Sequence, residues 1–309
     1  MLSKLTIILI IFTVLIIIYV LTFYIYLSNP SSSNIHFPTT LSPLTKQSII
    51  HYIDKFNDAD KHARSHFNNH QMRPNKDPNS SYVTSYIIQT PPPQLIEMTR
   101  IDITTLTQHL RSRGFTKHLL TLPWKISFIS PHIENNLPHT HHDTIFLPLS
   151  YSTFKPITRL GLLLHEQLHV FQRHFPIHTH KLFLNFWRLH ISGIRKPDTP
   201  NDDNLRRSNP DLNNFLYSHY DPTSKSLVHI QSVYNSKQPT TIIDSKSTTT
   251  QLQSKSHSRS QSTTYFKLIR DYHIRNFEHP NEVMAYLIPE IILHNKIHTP
   301  TQRWMHLYL

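Results

Sequence analysis

The feature that most constrains this chain lies at its start, where Leu5 to Leu27 (LTIILIIFTVLIIIYVLTFYIYL) run for 23 residues without a charge. At about 1.5 Å per residue, a helix of that length reaches roughly 34 Å, enough to cross the hydrocarbon core of a bilayer. A cleaved signal peptide carries a shorter apolar region, about 7–15 residues, ending in a small-x-small site, and no such site follows here. The run therefore predicts a transmembrane anchor at residues 5–27 that ties the chain to a lipid bilayer. Lys4 precedes it, and no Lys or Arg occurs from Ser28 to Thr45. By the positive-inside rule residues 1–4 form a cytosolic tail, and the rest of this single-pass chain is lumenal or extracellular.

Residues 28–45, rich in Pro and Ser, read as a stalk. Residues 46–309 are then of a size to form one domain with one core. Ile49, Ile53, Phe56, Ala63 and Phe67 recur at helical spacing, and a polar helix around Thr104 to Arg113 closes at Gly114. Trp124 to Ile129 (WKISFI) and the later TIFLPL are strand-like. Pro156 to Phe175 predicts a long apolar helix, with proline in its first turn and Pro176 just past its end. Residues 236–264 are poor in apolar side chains and read as a polar loop or insertion. A last helical region covers Tyr265 to His298, with breaks expected at Pro280 and Pro289.

The 31 Lys and Arg against 19 Asp and Glu give a formal charge of +12, which raises nucleic acid or an acidic membrane surface as a partner. Only 3 glycines occur, alanine stands only at positions 59, 63 and 285, and glutamate is scarce, while 25 histidines and 22 prolines are present. Residues with guanine-led codons are depleted together, so a guanine-poor coding strand accounts for part of the basic, histidine-rich balance. No nucleic-acid motif or interleaved stacking aromatics accompany the charge, and no specific nucleic-acid partner is predicted. The absence of cysteine excludes disulfides, thiolate metal sites and thiol catalysis.

The chemistry concentrates in the long helix, where LLLHEQLHVFQR places His165 and His169 four residues apart. Both imidazoles then leave one face and can share one metal ion, with Glu166 next to it. A zinc ion on three protein ligands keeps an open position for water, and an adjacent carboxylate can take that water's proton during attack on a carbonyl. Chance would produce such a motif in a chain of this composition about 0.04 times. An apolar helix also penalises two histidines and a glutamate that lack partners. His139, His141 and His142 offer a further metal-type cluster, read instead as solvated loop residues.

These motifs resemble the zincin superfamily of metallopeptidases. The resemblance implies an α+β domain with an active-site helix and an edge strand, TIFLPL, along which an extended peptide could add main-chain hydrogen bonds. PHTHHD together with HEQLHVFQR is also similar to membrane-anchored proteins of large DNA viruses and algae. The metzincin pattern is excluded, because Gln172 and Phe175 stand where its glycine and third histidine belong. The gluzincin branch takes its third ligand from a later helix, and HPNEVMAYL matches through Glu282 and Ala285. Tyr286 replaces the Asp that in that branch orients a metal-bound histidine, which puts activity in question. Without the metal, Glu282 reads as a first-turn carboxylate beside an Asn281 cap. Zincins also use a Tyr or His to stabilise the oxyanion, and Tyr217, His219 and Tyr220 of FLYSHYD are candidates, with Tyr286 a further one.

The sequence thus points to a membrane-anchored zinc peptidase acting on peptide or protein substrates. His165, His169 and Glu282 are its predicted metal ligands and Glu166 its general base. One alternative is an inactive zincin-fold protein serving as a membrane or virion component. Another is a basic membrane-surface or nucleic-acid-binding protein with an accidental HExxH.

Overall fold

Three segments rich in β-branched and aromatic residues meet in a central sheet. In a computed structural model of the protein, the described residues are 12–18, 35–67, 77–115, 117–131, 133–194, 207–211, 215–221, 226–230, 232–234, 237–238, 245–247, 268–269 and 279–309. Strands β1 (Ile35–His36), β2 (Trp124–Phe128) and β4 (Thr144–Leu147) lie parallel. Strand β3 (His139–His141) runs antiparallel to β4, and the sheet order is β1-β2-β4-β3. Ile145, Phe146 and Leu147 of β4 are all buried, the continuous apolar run expected of a strand covered on both faces, while β2 alternates Trp124, Ile126 and Phe128 with Lys125 and Ser127.

Around the sheet stand helices α1 (Pro43–Ile53), α2 (Asp58–Phe67), α3 (Ser81–Thr84), α4 (Pro93–Ser112), α5 (Pro156–His174) and α6 (Pro176–Lys181). A second sheet is formed by β5 (His190–Ile194), β6 (Phe215–Asp221) and β7 (Ser226–His229), and β8 (Ser232–Tyr234) pairs with β9 (Ser245–Ser247). Helices α7 (Pro280–His294) and α8 (Thr299–Tyr308) close the chain.

Helix α5 is the axis of the core. Pro156 sets its first turn, and every residue from Leu163 to Gln172 is buried, as a helix flanked by protein on all sides requires. It packs against α4, α7, β3 and β4. Each of Leu163, Leu164 and Leu168, fully buried, contributes about 1.5–3 kcal/mol by leaving water. Phe171 meets the edge of Trp304 at 6.0 Å, and the Trp304 indole N–H donates to the His178 carbonyl at 2.8 Å. That contact seats α8 against the end of α5.

The α+β expectation holds, but the membrane anchor does not. Among the described residues no helix is long and apolar enough to cross a membrane. Within Leu5 to Leu27 only residues 12–18 are described, as helix, and the rest of the predicted span lies outside the described residues. The predicted single-pass protein with a transmembrane helix is thereby overturned.

Smaller expectations also change. Ile35 and His36, assigned to the stalk, pair with Trp124 and Lys125. Strand β4, the TIFL of TIFLPL, is interior, and the edge belongs to β3. His139 and His141 are buried rather than solvated, because the Tyr86 hydroxyl lies 2.7 Å from Nε2 of the first and 3.0 Å from Nε2 of the second. His139 Nδ1 sits 2.8 Å from the Leu137 carbonyl and donates to it. The His139 Nε2 atom then accepts from the tyrosine, which in turn accepts from His141. Burial holds the His141 imidazole well below its ordinary pKa. Most of residues 236–264 lies outside the described residues.

A buried ion cluster holds the loop that leads into β3. Glu134, Asn135 and Asn136 take φ of 46°, 57° and 57°, a left-handed run that costs roughly 1–2 kcal/mol per residue for L side chains. Arg64 grips the Glu134 carboxylate through Nε at 3.1 Å and Nη2 at 3.2 Å, and Tyr82 donates to it at 2.9 Å. Arg64 also pairs with Asp60 at 3.0 Å and covers the Phe56 ring at 4.2 Å. Burial by itself would raise the Glu134 carboxyl, but Arg64 and the hydrogen bonds from Arg64 and Tyr82 hold it below the usual glutamate value.

Arg64→Ala leaves two buried carboxylates without their cation and should cost about 3–5 kcal/mol in urea unfolding at neutral pH. Because the folded-state pKa of Glu134 is depressed, its contribution is present above about pH 4.3, the unfolded value, and is lost as pH falls through the folded one. The acid loss of stability should therefore be smaller in Glu134→Gln than in the parent, measured as the shift in urea midpoint between pH 7 and pH 3.

Candidate metal centre

Two imidazoles on one helical face bring one wall of the site, and α7 brings the other. His165 and His169 of α5 approach with their Nε2 atoms 3.1 Å apart. Glu282 Oε2 lies 3.5 Å from His165 Nε2 and 3.7 Å from His169 Nε2. The point in the plane of these three atoms that is equidistant from them is about 2.0 Å from each, close to the bond length of zinc to imidazole nitrogen or carboxylate oxygen. All three side chains are buried, and together they could hold a metal ion; among the described residues no other group of three or more His, Asp or Glu offers this.

Glu282 reaches this position because of how α7 begins. His279, in extended conformation, caps the helix by accepting from the Asn281 N–H at 3.1 Å, and Pro280 occupies the first turn. The cap is thus His279, and Asn281, expected as the cap, lies inside the helix. That start puts Glu282 in the first turn, facing α5. Asn209 donates to Glu282 Oε1 at 2.9 Å, which fixes one carboxylate oxygen and leaves Oε2 for the imidazole pair.

Gln172 orients His169. Its amide nitrogen donates to the Asn281 carbonyl at 2.9 Å, so its Oε1 faces His169 Nδ1, also at 2.9 Å. An amide oxygen only accepts, so Nδ1 carries the proton and Nε2 presents a lone pair to the site. The residue that rules out the metzincin pattern is therefore the one that sets the tautomer. At the position where an Asp was expected, Tyr286 instead lays its ring against His165, 4.4 Å between centroids.

Glu166 is buried, and its Oε2 has no hydrogen-bond partner among the described residues. Burial and the nearby Asp211 raise its carboxyl well above the ordinary value, against the pull of His169. Burial disfavours a charged His169, yet Glu282, Asp211 and Glu166 push that imidazole up to about 9. Burial likewise opposes ionisation of Glu282, but the two histidines hold its carboxyl well below the glutamate range. In the absence of a cation the site thus stores protons that a divalent ion would displace.

A cavity of about 460 Å³ opens onto His165 and Glu282 of the triad. Along it stand His165, Glu166, Glu282 and Tyr286, then residues 207–211, and then Tyr52, Arg64, Glu134 and His139. Of the oxyanion candidates only Tyr286 lines it. Tyr217 is buried against Phe183 at 5.2 Å and His279 at 5.1 Å, His219 is buried outside the cavity wall, and Tyr220 of the same strand is exposed. The structure brings together His165, Glu166, His169 and Glu282, and does not bring β6 to them.

Two residues of the site escaped the sequence reading. Gln172 stands three positions after His169, and that spacing places side chains on one helical face, a usable signal. Asn209 sits in irregular chain between strands, where no periodicity marks it.

Comparison of the chain with protein-family models, curated proteins and solved structures found no match.

Gln172→Ala should keep the fold and weaken metal binding by about 10–100-fold, the usual effect of losing a histidine's outer partner, read by competition with a chelating dye. Because His169 must be neutral to bind an ion and carries a proton up to about pH 9, apparent metal affinity should rise with pH. The expected slope is up to roughly tenfold per unit between pH 6.5 and 8.5. A flat profile would contradict the assignment of His169 as a ligand.

Proposed function

We propose that the protein is a zinc-dependent peptidase of the zincin type, in which His165, His169 and Glu282 hold Zn²⁺ and Glu166 is the general base. The observation that carries this reading is the convergence of Glu282, more than a hundred residues downstream of His165, on the two imidazoles with bond-length spacing. Two nitrogens and one carboxylate oxygen form the donor set associated with hydrolytic zinc sites that keep an open position. Zinc held this way lowers the pKa of water towards about 7 and polarises a carbonyl.

The chain's own residues supply the rest. Glu166 lies one position after the first ligand, its Oε2 uncommitted, and can accept a proton from the attacking water and hand it to the departing amine. To do so it must be ionised, and a bound cation would act with Arg173 against the burial and the Asp211 charge that raise it. Gln172 and Asn209 hold His169 and Glu282 in place, which supports the reading although Tyr286 stands where an orienting Asp was expected. The Tyr286 hydroxyl is the candidate on the cavity wall for stabilising the oxyanion. Five carboxylates (Glu134, Glu166, Asp211, Glu282 and Glu290) line the cavity against two guanidiniums, Arg64 and Arg207. In a chain of charge +12 that balance speaks against a nucleic-acid phosphate site there.

Glu166→Gln preserves size and hydrogen bonding but cannot take a proton. It should keep full zinc by atomic absorption while peptide hydrolysis falls by about 10²–10⁴. Glu282→Gln should instead lose zinc, since an amide oxygen is a far poorer ligand than a carboxylate. Undiminished turnover in the Glu166 variant would sink the catalytic assignment, and full zinc in the Glu282 variant would sink the ligand assignment.

A further inference from the structure

The edge of a sheet beside a peptidase-like site is where an extended chain could pair, since its outward N–H and C=O groups need partners. Here that edge is already taken. On β3 the Thr140 N–H donates to Asp211 Oδ1 at 2.7 Å, and the Thr140 hydroxyl donates to the same oxygen at 2.6 Å. The Thr140 carbonyl accepts from Arg173 Nη2 at 3.1 Å, and that nitrogen also reaches the Pro210 carbonyl at 3.0 Å and lies 3.5 Å from Asp211. Residues 208–211 therefore form a strap along the edge. Its far end is fixed where Asp60 accepts from the Ser208 N–H at 2.9 Å and Arg64 donates to the Ser208 carbonyl at 3.1 Å. Its middle touches the metal triad through Asn209.

The outward N–H of Thr140 is thus taken by the Asp211 side chain and its carbonyl by Arg173, the two groups an extended ligand would need. A backbone N–H, a hydroxyl and a guanidinium converge on the Asp211 carboxylate, a combination that gives short charge-assisted hydrogen bonds and prefers an anion to a neutral group. We propose that residues 208–211 are a built-in occupant of the substrate position, and that Thr140 and Arg173 form a subsite for an acidic side chain, filled in the resting protein by Asp211. The inference rests on the peptidase reading and adds to it a substrate class and a means of restraint. A peptide gains access by displacing the strap, and one carrying Asp or Glu at the matching position does so best.

The test uses the full-length zinc-loaded parent and Asp211→Ala, with three probes followed by calorimetry. Acetohydroxamate reaches the metal without needing the strand edge. Two N-acetyl tetrapeptide hydroxamate sets differ only in Asp or Leu, scanned along the peptide. Acetohydroxamate should bind both proteins, and its parent-to-variant ratio, which carries the loss of the Asp211 charge beside Glu166 and His169, is the reference against which the peptide gains are read. The best Asp peptide should bind the variant at least about 10-fold more tightly than it binds the parent, and about 10-fold more tightly than its Leu counterpart. A variant that binds acetohydroxamate but shows neither gain overturns the proposal. Failure of acetohydroxamate to bind either protein overturns the metal-centred reading itself and this inference with it. Should Asp211→Ala not retain zinc, Asp211→Asn keeps the acceptor in a weaker, neutral form and is held to a smaller gain of the same sign, whose absence counts equally against the proposal.

Discussion

The structure depends on the burial of a compact set of polar groups along one helix that otherwise reads as core. His165, Glu166, His169 and Gln172 lie within the fully covered stretch of α5, and each would carry a desolvation cost of several kcal/mol if left to itself. The fold meets that cost by turning other polar groups inward to the same place: Glu282 from the first turn of α7, Asn281 from its backbone and Asn209 from irregular chain. Helix α7 is therefore held to α5 by polar contacts at one end and by Val283, Met284, Leu287 and Ile288 along the rest of its length. Among the described residues Glu166 Oε2 has no hydrogen-bond partner, and a buried carboxylate oxygen left unpaired beside a candidate metal site is where chemistry is to be expected.

A second buried polar group, centred on Arg64, governs the opposite wall of the cavity. It restrains the left-handed residues Glu134 to Asn136, which deliver the chain to β3, and it anchors the strap through Ser208. Both walls are thus positioned by charges withdrawn from water rather than by apolar packing alone. Such arrangements are costly when broken and contribute little net stability when intact, which suits them to fixing geometry.

How much of this was legible in the sequence depended on whether the signal was local. The four-residue spacing of His165 and His169 follows from helix periodicity and is read without a structure. WKISFI and the span of α5 were legible for the same reason, being alternation and apolar periodicity bounded by proline. Glu282 was reached through a resemblance of HPNEVMAYL rather than from spacing. The identity of the edge strand was not legible, because TIFL and HTH differ in hydropathy and the less apolar one takes the edge, covered by a strap that lies some 70 residues away. The burial of His139 and His141 depends on Tyr86, which no pattern links to them. The anchor was read from hydropathy over Leu5 to Leu27 alone, and no helix among the described residues has the length and apolar character that a span requires.

The separation between Glu282 and the histidines has a kinetic consequence. His165 and His169 come together whenever α5 forms, a local event, but Glu282 joins them only after a loop of more than a hundred residues has closed. Contacts of such separation belong late on the folding route, after the loop-closure entropy has been met. An ion bridging α5 and α7 would then stabilise a contact largely absent from the transition state, and interactions of that kind slow unfolding without speeding folding. The triad would act as a latch on the finished fold, lengthening the lifetime of the native state more than it eases the path to it.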